Sequence, residues 1–138
     1  MPENYNIEKS EKPEWEIIGG GISEYNESMA GDDHGKNLSY VVKDENGKVV
    51  GGVIGATYWN WLYINLMWLR EDLRGQGFGA QLLLKAEEEG RQRGAEYSYL
   101  DTFSFQAPGF YKKLGYEVFG ALDDFPTGHQ RYFMKKPL

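Results

Sequence analysis

From Trp15 onward the apolar residues fall at Trp15, Ile18, Ile22, Tyr25 and Met29, alternating steps of three and four that trace one stripe of an amphipathic helix. Gly19, Gly20 and Gly21 interrupt that stripe, and each costs an exposed helix about 1 kcal/mol relative to alanine, so a break is expected there. Residues 31–35 read as a polar loop. Leu38 to Lys43 reads as a strand, Asn46-Gly47 as the two-residue turn of a hairpin, and Val49 to Asn60 as the returning strand. The next segment, Trp61 to Leu69, alternates Leu62, Ile64, Leu66 and Trp68 against Trp61, Tyr63, Asn65 and Met67, and both faces are apolar enough to be buried.

Helical periodicity returns over Phe78 to Arg93, where Phe78, Leu82, Leu83 and Ala86 form a stripe and Lys85-Glu89, Glu87-Arg91 and Glu89-Arg93 pair opposite charges four residues apart. Gly94 suits its C-terminal cap. A strand over Glu96 to Phe103 follows, then a short helix with Pro108 in its first turn and Gly115 as its cap. Tyr116 to Leu122 and Arg131 to Lys135 close the chain as strands. The order of elements predicts an α+β (α/β) domain around a mixed, mostly antiparallel sheet flanked by about four helices.

Composition narrows the classes. At 138 residues the chain is read as a single domain over 1–138, and 41% hydrophobic with 26% charged residues is ordinary globular usage. No apolar run approaches the roughly 20 residues of a membrane helix, and the polar start lacks the apolar core of a secretory signal, so no membrane association and a cytoplasmic location are expected. Fifteen basic against 21 acidic residues, a net charge of −6, offer no basic face for nucleic acid. The absence of cysteine rules out disulfides, cysteine-ligated zinc and an acyl-cysteine intermediate. His34 and His129, 95 positions apart, give no metal-ligand spacing, and no metal is expected.

The stretch carrying most chemical information is Arg74-Gly75-Gln76-Gly77-Phe78-Gly79, between an apolar strand and the start of an amphipathic helix. Three side-chain-free positions let backbone N–H groups face a bound oxyanion, and the helix dipole adds partial positive charge. The loop is neither a P-loop, lacking Lys-Ser/Thr, nor a dinucleotide fingerprint, because its third glycine comes too early.

This loop resembles the acyl-CoA signature of the GNAT (Gcn5-related) N-acetyltransferases, written Q/R-x-x-G-x-G/A. The segment Gln106-Ala107-Pro108-Gly109-Phe110-Tyr111-Lys112-Lys113-Leu114-Gly115-Tyr116 resembles that family's second signature. With the strands, the likeness covers about Leu38 to Lys135 and implies a GNAT-like fold with splayed middle strands and a first strand before Trp15. It implies acetyl-CoA as donor, its pyrophosphate on the main chain of Arg74, Gly75, Gln76, Gly77, Phe78 and Gly79, and its pantetheine along Met67, Trp68 and Leu69. Ser104 stands where the family often has a cofactor-contacting Asn. Tyr111 matches the tyrosine that protonates the departing thiolate, and a core aromatic beside Phe110 is the alternative reading. An unperturbed tyrosine pKa near 10 keeps that proton available at neutral pH.

The resemblance implies transfer to a primary amine by direct attack in a ternary complex, with a small-molecule acceptor, a protein N-terminus or lysine, or acyl-CoA sensing without turnover as the readings that the residues leave open. A homodimer is a further expectation from the family. Glu24, Glu27, Asp32, Asp101 and Asp123 are candidate bases. Tyr25, Asn26 and Trp59, with Tyr58, Trp61 and Tyr63, could wall a site for a cationic amine, or else pack the sheet. The loop Asp123 to His129 could rim that site, the segments at residues 19–21 and 31–35 could cover it, and Lys112, Lys113 and Arg70 could attract a 3′-phosphate.

Overall fold

The computed structural model describes residues 4–138. The order is α1 (Trp15–Ala30), β1 (Lys36–Lys43), β2 (Val49–Tyr58), β3 (Trp61–Leu69), one 3₁₀ turn (Glu71–Leu73), α2 (Phe78–Gln92), β4 (Tyr97–Phe103), α3 (Pro108–Lys113), β5 (Glu117–Asp123) and β6 (Gln130–Pro137). The chain forms two compact units, residues 1–33 and 34–138. The first contains α1, which runs unbroken through Gly19 to Gly21 and buries none of its residues. The expected break is absent because glycine's penalty is entropic, and its backbone still makes the helical hydrogen bonds. Among residues 4–14 no strand is present, so the strand expected before Trp15 is not found there.

The second unit is a six-stranded sheet in the order β1-β2-β3-β4-β6-β5. All neighbours are antiparallel except β3 and β4, which run parallel across the α2 connection. Leu38, Val53, Leu62, Ile64, Leu100 and Met134 line the face that meets α2 and α3, closing a core with Leu82, Leu83, Ala86, Tyr111 and Tyr116.

Two turns depart from expectation. The β1–β2 connection is a five-residue loop in which Asp44 Oδ1 accepts the N–H groups of Asn46 and Lys48, each at 2.9 Å, so only Gly47 needs a positive φ. Strand β2 ends at Tyr58, and Trp59 (φ 46°) with Asn60 forms the tight turn into β3.

The departure that shapes the site lies in β3. Ile54 pairs with Leu66 but Gly55 pairs with Ile64, which leaves Asn65 as the extra residue of a β-bulge. A one-residue insertion reverses which face each later side chain takes. Leu62 and Ile64 are buried, yet Leu66 and Trp68, expected on the same face, are 61% and 55% exposed, while Met67 and Leu69 turn onto the core. Close backbone approach at the bulge requires Gly55, where a Cβ would lie 2.5 Å from the Tyr63 carbonyl oxygen.

Candidate active site

The bulge is also where β3 and β4 part. Their parallel pairing runs from Trp61↔Tyr97 to Ile64↔Leu100 and stops, so Asn65–Leu69 and Asp101–Phe103 have no partner across the gap. Each strand remains paired on its outer side, β3 with β2 and β4 with β6. The result is a slot between two held strands, with the backbone of Asn65–Leu69 along one side and that of Asp101–Phe103 along the other.

At the end of β3 the chain makes the 3₁₀ turn and enters α2 through the glycine loop. Gly75 and Gly77 have φ of 76° and 89°, a region that L side chains rarely adopt, and Gly77 is the N-cap of α2. No side chain caps this end. Among the described residues, the first amide of the loop and helix that pairs with backbone is Gln81, to the Gly77 carbonyl at 3.1 Å. The N–H groups from Gly75 to Ala80 therefore have no backbone partner at the positive end of the helix dipole, an arrangement that suits an oxyanion. The side chains around the loop serve it rather than fill it. Arg74 Nε donates to the Leu69 carbonyl at 3.1 Å, Gln76 Nε2 donates to the Asp72 carbonyl at 2.8 Å, and Asp72 grips Arg70 through two bonds of 2.6 and 2.9 Å. That pairing holds the exposed Asp72 carboxyl below its ordinary pKa and engages Arg70, one of the cations considered for a 3′-phosphate.

Helix α3 packs directly against the loop: a Cβ on Gly79 would meet the Phe110 ring at 3.2 Å. Next to it, the Tyr111 ring is 8% exposed, edge-on to Phe110 and Tyr116 at 5.2 and 6.1 Å. Its hydroxyl has no hydrogen-bond partner among the described residues, and every fully buried side-chain polar atom has one, so the hydroxyl must reach the surface. Burial pushes its pKa above the ordinary tyrosine value of 10.0. A proton held on an open, unpaired oxygen is what a general acid needs.

Behind Tyr111, the Tyr116 hydroxyl donates to Glu87 Oε2 at 2.9 Å and accepts from Ser98 Oγ at 2.8 Å, and Lys136 Nζ reaches Glu87 Oε1 at 2.7 Å. Desolvation, then the Glu87 charge, push the Tyr116 pKa far up, which marks it as a structural group.

The other candidates separate. Ser104 is tied to the start of β6, its Oγ accepting the Gln130 N–H at 3.0 Å. Trp59 lies at the turn that begins β3, the end of the strand remote from the slot. Tyr25 and Asn26 lie on α1 in the first unit, Tyr25 exposed. The loop after Asp123 packs onto the slot's rim, with Phe125 and Phe105 each about 5 Å from the Phe103 ring and His129 edge-on to Phe105. Among the described residues no three of His, Cys, Asp or Glu gather as a metal site, and no helix is long and apolar enough to cross a membrane.

An open strand pair leading to a glycine-capped helix matches a known architecture and a known sequence pattern together. Residues 1–116 match the model of the acetyltransferase (GNAT) family. The chain belongs to the GNAT acetyltransferases. A blasticidin-S acetyltransferase from Streptomyces morookaense is 37% identical over 95 residues, covering 68% of this chain and 70% of that protein. The acetyltransferase Atu2258 from Agrobacterium fabrum is 33% identical over 81% of this chain and 82% of its own length. The crystal structure of an acetyltransferase from Bacillus cereus superposes with a TM-score of 0.90 at 39% identity, covering 97% of this chain and 98% of that one. The mixed six-stranded fold is thus the GNAT fold, with three α-helices and one 3₁₀ turn where about four helices were expected.

Sequence reasoning missed Arg131, whose guanidinium clasps Asp101 Oδ1 through Nε at 3.0 Å and Nη2 at 2.6 Å. The available signal was an acidic residue in the middle of the otherwise apolar or hydroxylic run Tyr97 to Phe103, which demands a partner on an adjacent strand.

Proposed function

We propose that this acetyltransferase moves the acetyl group of acetyl-CoA to a primary amine on a small molecule, by direct attack in a ternary complex. The observation that carries this reading is the slot between Asn65–Leu69 and Asp101–Phe103, leading to the unpaired amides of Gly75 to Ala80. The residues present fit the donor. Free N–H groups at a helix N-terminus suit a diphosphate, and free strand backbone in the slot suits the two amides of pantetheine.

The donor supplies a thioester, an acetyl carbonyl with a stabilised leaving group. The chain's own contributions are to bind the diphosphate at Gly75 to Ala80, to hold the pantetheine arm against Met67, Trp68 and Leu69, and to keep a proton on Tyr111 Oη for the departing sulfur. The absence of cysteine removes a thiol nucleophile, so the amine attacks directly. A small-molecule acceptor is favoured by the relative at 37% identity that is named for blasticidin S.

Calorimetric titration with acetyl-CoA tests the donor site. Binding should be lost in Gly77→Glu and weakened at least tenfold in Gln76→Glu, which leaves the positive-φ backbone in place while adding charge against the diphosphate. Equal affinity in all three proteins overturns the assignment. The acceptor class is tested by CoA release with blasticidin S, spermidine, 2-phenylethylamine and a lysine-containing peptide; turnover of the peptide alone would favour protein acetylation.

A further inference from the structure

The side chains of Tyr63, Asn65 and Asp101 are not among the groups assigned to the diphosphate, the pantetheine arm or the departing sulfur, and they converge where β3 and β4 part. Along β4, Ser98, Leu100 and Thr102 are buried towards the helices, so Asp101 projects from the other face of the sheet. The bulge brings Asn65 beside Tyr63 there. Arg131 on β6 engages only Oδ1 of Asp101. Asp101 Oδ2 faces the Tyr63 hydroxyl at 3.4 Å, and that hydroxyl is 3.5 Å from Asn65 Oδ1.

Contacts this long are at the limit of hydrogen bonding. One phenolic hydrogen cannot satisfy both acceptors, so one of them lacks a donor, the phenolic oxygen accepts from none, and all three oxygens keep acceptor capacity around one point. Beside them, the Tyr63 ring stacks on Tyr99 at 4.7 Å and Trp61 lies edge-on to Tyr99 at 5.8 Å, offering aromatic surface to a cation. The charged and titratable groups facing Asp101 are Tyr63 on β3, Tyr99 on its own strand and Arg131 on β6, with Tyr58 on β2 behind them, bonded to Tyr99.

We propose that Tyr63 Oη, Asn65 Oδ1 and Asp101 Oδ2 form the acceptor site for a primary ammonium group, and that Asp101 takes the proton that frees its lone pair. This rests on the N-acetyltransferase reading above. A ternary reaction needs separate entrances for two substrates, and the slot supplies them: the donor enters from the helix face with Tyr111, the amine from the opposite face with Asp101. Three N–H donors of an ammonium match three acceptor oxygens. The Arg131 cation, bonded to Oδ1, fixes the carboxylate and leaves Oδ2 turned to the amine.

In balance, Asp101 removes one ammonium proton and passes it to solvent. The nitrogen lone pair forms the N–C bond, and the C–S bond breaks with its pair going to sulfur. Tyr111 Oη protonates the sulfur and is restored by the second proton that nitrogen loses. The net change is ammonium plus thioester to amide, thiol and one proton.

The test is amine-dependent CoA release by Asp101→Asn and Tyr63→Phe, with the acceptor from the panel above that wild type turns over fastest. Asp101→Asn keeps an oxygen for Arg131; it should lower kcat/KM at pH 7 by about a hundredfold or more. That deficit should shrink as pH approaches the amine's own pKa, and acetyl-CoA affinity should stay within twofold. Tyr63→Phe keeps the ring stack and should raise KM for the amine about fivefold, the loss of one hydrogen bond of roughly 1 kcal/mol. If Asp101→Asn does not fold, the Tyr63→Phe result decides. Amine kinetics unchanged in the variants, or a deficit equal at every pH, overturns the acceptor site alone. Acetyl-CoA binding without release by wild type on any amine overturns the transfer reading and this proposal with it.

Discussion

Glu87 is fully buried, and its replacement by glutamine tests how the core behind Tyr111 is held together. The carboxylate accepts from Lys136 at 2.7 Å and from Tyr116 at 2.9 Å, with Arg91 at 3.9 Å. Tyr116 in turn stands edge-on to Tyr111. Glutamine keeps the shape and one acceptor oxygen but removes the charge, leaving the Lys136 ammonium, 17% exposed, without a counter-ion. Breaking a fully buried pair costs about 3–5 kcal/mol, and the residual solvent access of Lys136 reduces this to roughly 2–3 kcal/mol. Unfolding entropy of about 2.1 cal/mol/K per residue gives a chain of this length roughly 0.3 kcal/mol per degree, so Tm should fall by about 7–10 °C in a calorimetric scan. A Lys136→Met change in the Glu87→Gln background should recover most of that loss, because the cost is an unpaired charge and not a lost contact area. A fall under about 2 °C, or a double variant less stable than either single one, would refute the reasoning.

Other outcomes follow from the same geometry. Tyr111→Phe should lower kcat about tenfold or more with acetyl-CoA affinity unchanged in calorimetry, since only the open hydroxyl is removed. Gly55→Ala should destabilise by more than about 2 kcal/mol in urea unfolding, because its Cβ would press a backbone oxygen at 2.5 Å beside the bulge. Tyr63, Tyr99, Tyr111 and Tyr116 all have pKa values raised mainly by desolvation. They keep their protons in the folded chain while the unfolded chain loses them above the ordinary value of 10.0. Their contribution is therefore intact at lower pH and is lost as pH rises, so Tm measured in scans of rising pH should decline from about pH 10 upward.

Much of the sheet was legible because its alternation and turn residues are local signals. Strand β3 was bounded to the residue, and the helical charge pairs and caps placed α2 within one residue of its end. The glycine loop and the Phe110-Tyr111 helix were legible together, as two patterns in one order. The bulge was not. Asn65 fits either register of an alternating strand, and only the pairing of Ile54 with Leu66 and Gly55 with Ile64 shows that it belongs to neither. Reading straight through it puts Leu66 and Trp68 on the face of Leu62 and Ile64 and takes both faces as buried, whereas Leu66 and Trp68 are exposed and Met67 and Leu69 turn onto the core. The Asp101–Arg131 pair escaped for a related reason: the partners lie 30 positions apart and meet only because β6 pairs with β4. In α1 the glycine penalty was weighed as a break, although a propensity cost leaves the helical backbone bonds available.

The claim at the centre of this account is that the donor lies in the slot between β3 and β4 with its diphosphate on the amides that open α2. Backbone amide NMR of the protein titrated with acetyl-CoA addresses it directly. Large shifts are expected for Met67, Trp68 and Leu69 and for Gly75 to Ala80, with the amides of β1 little moved. Saturable binding that leaves both segments unshifted would contradict it.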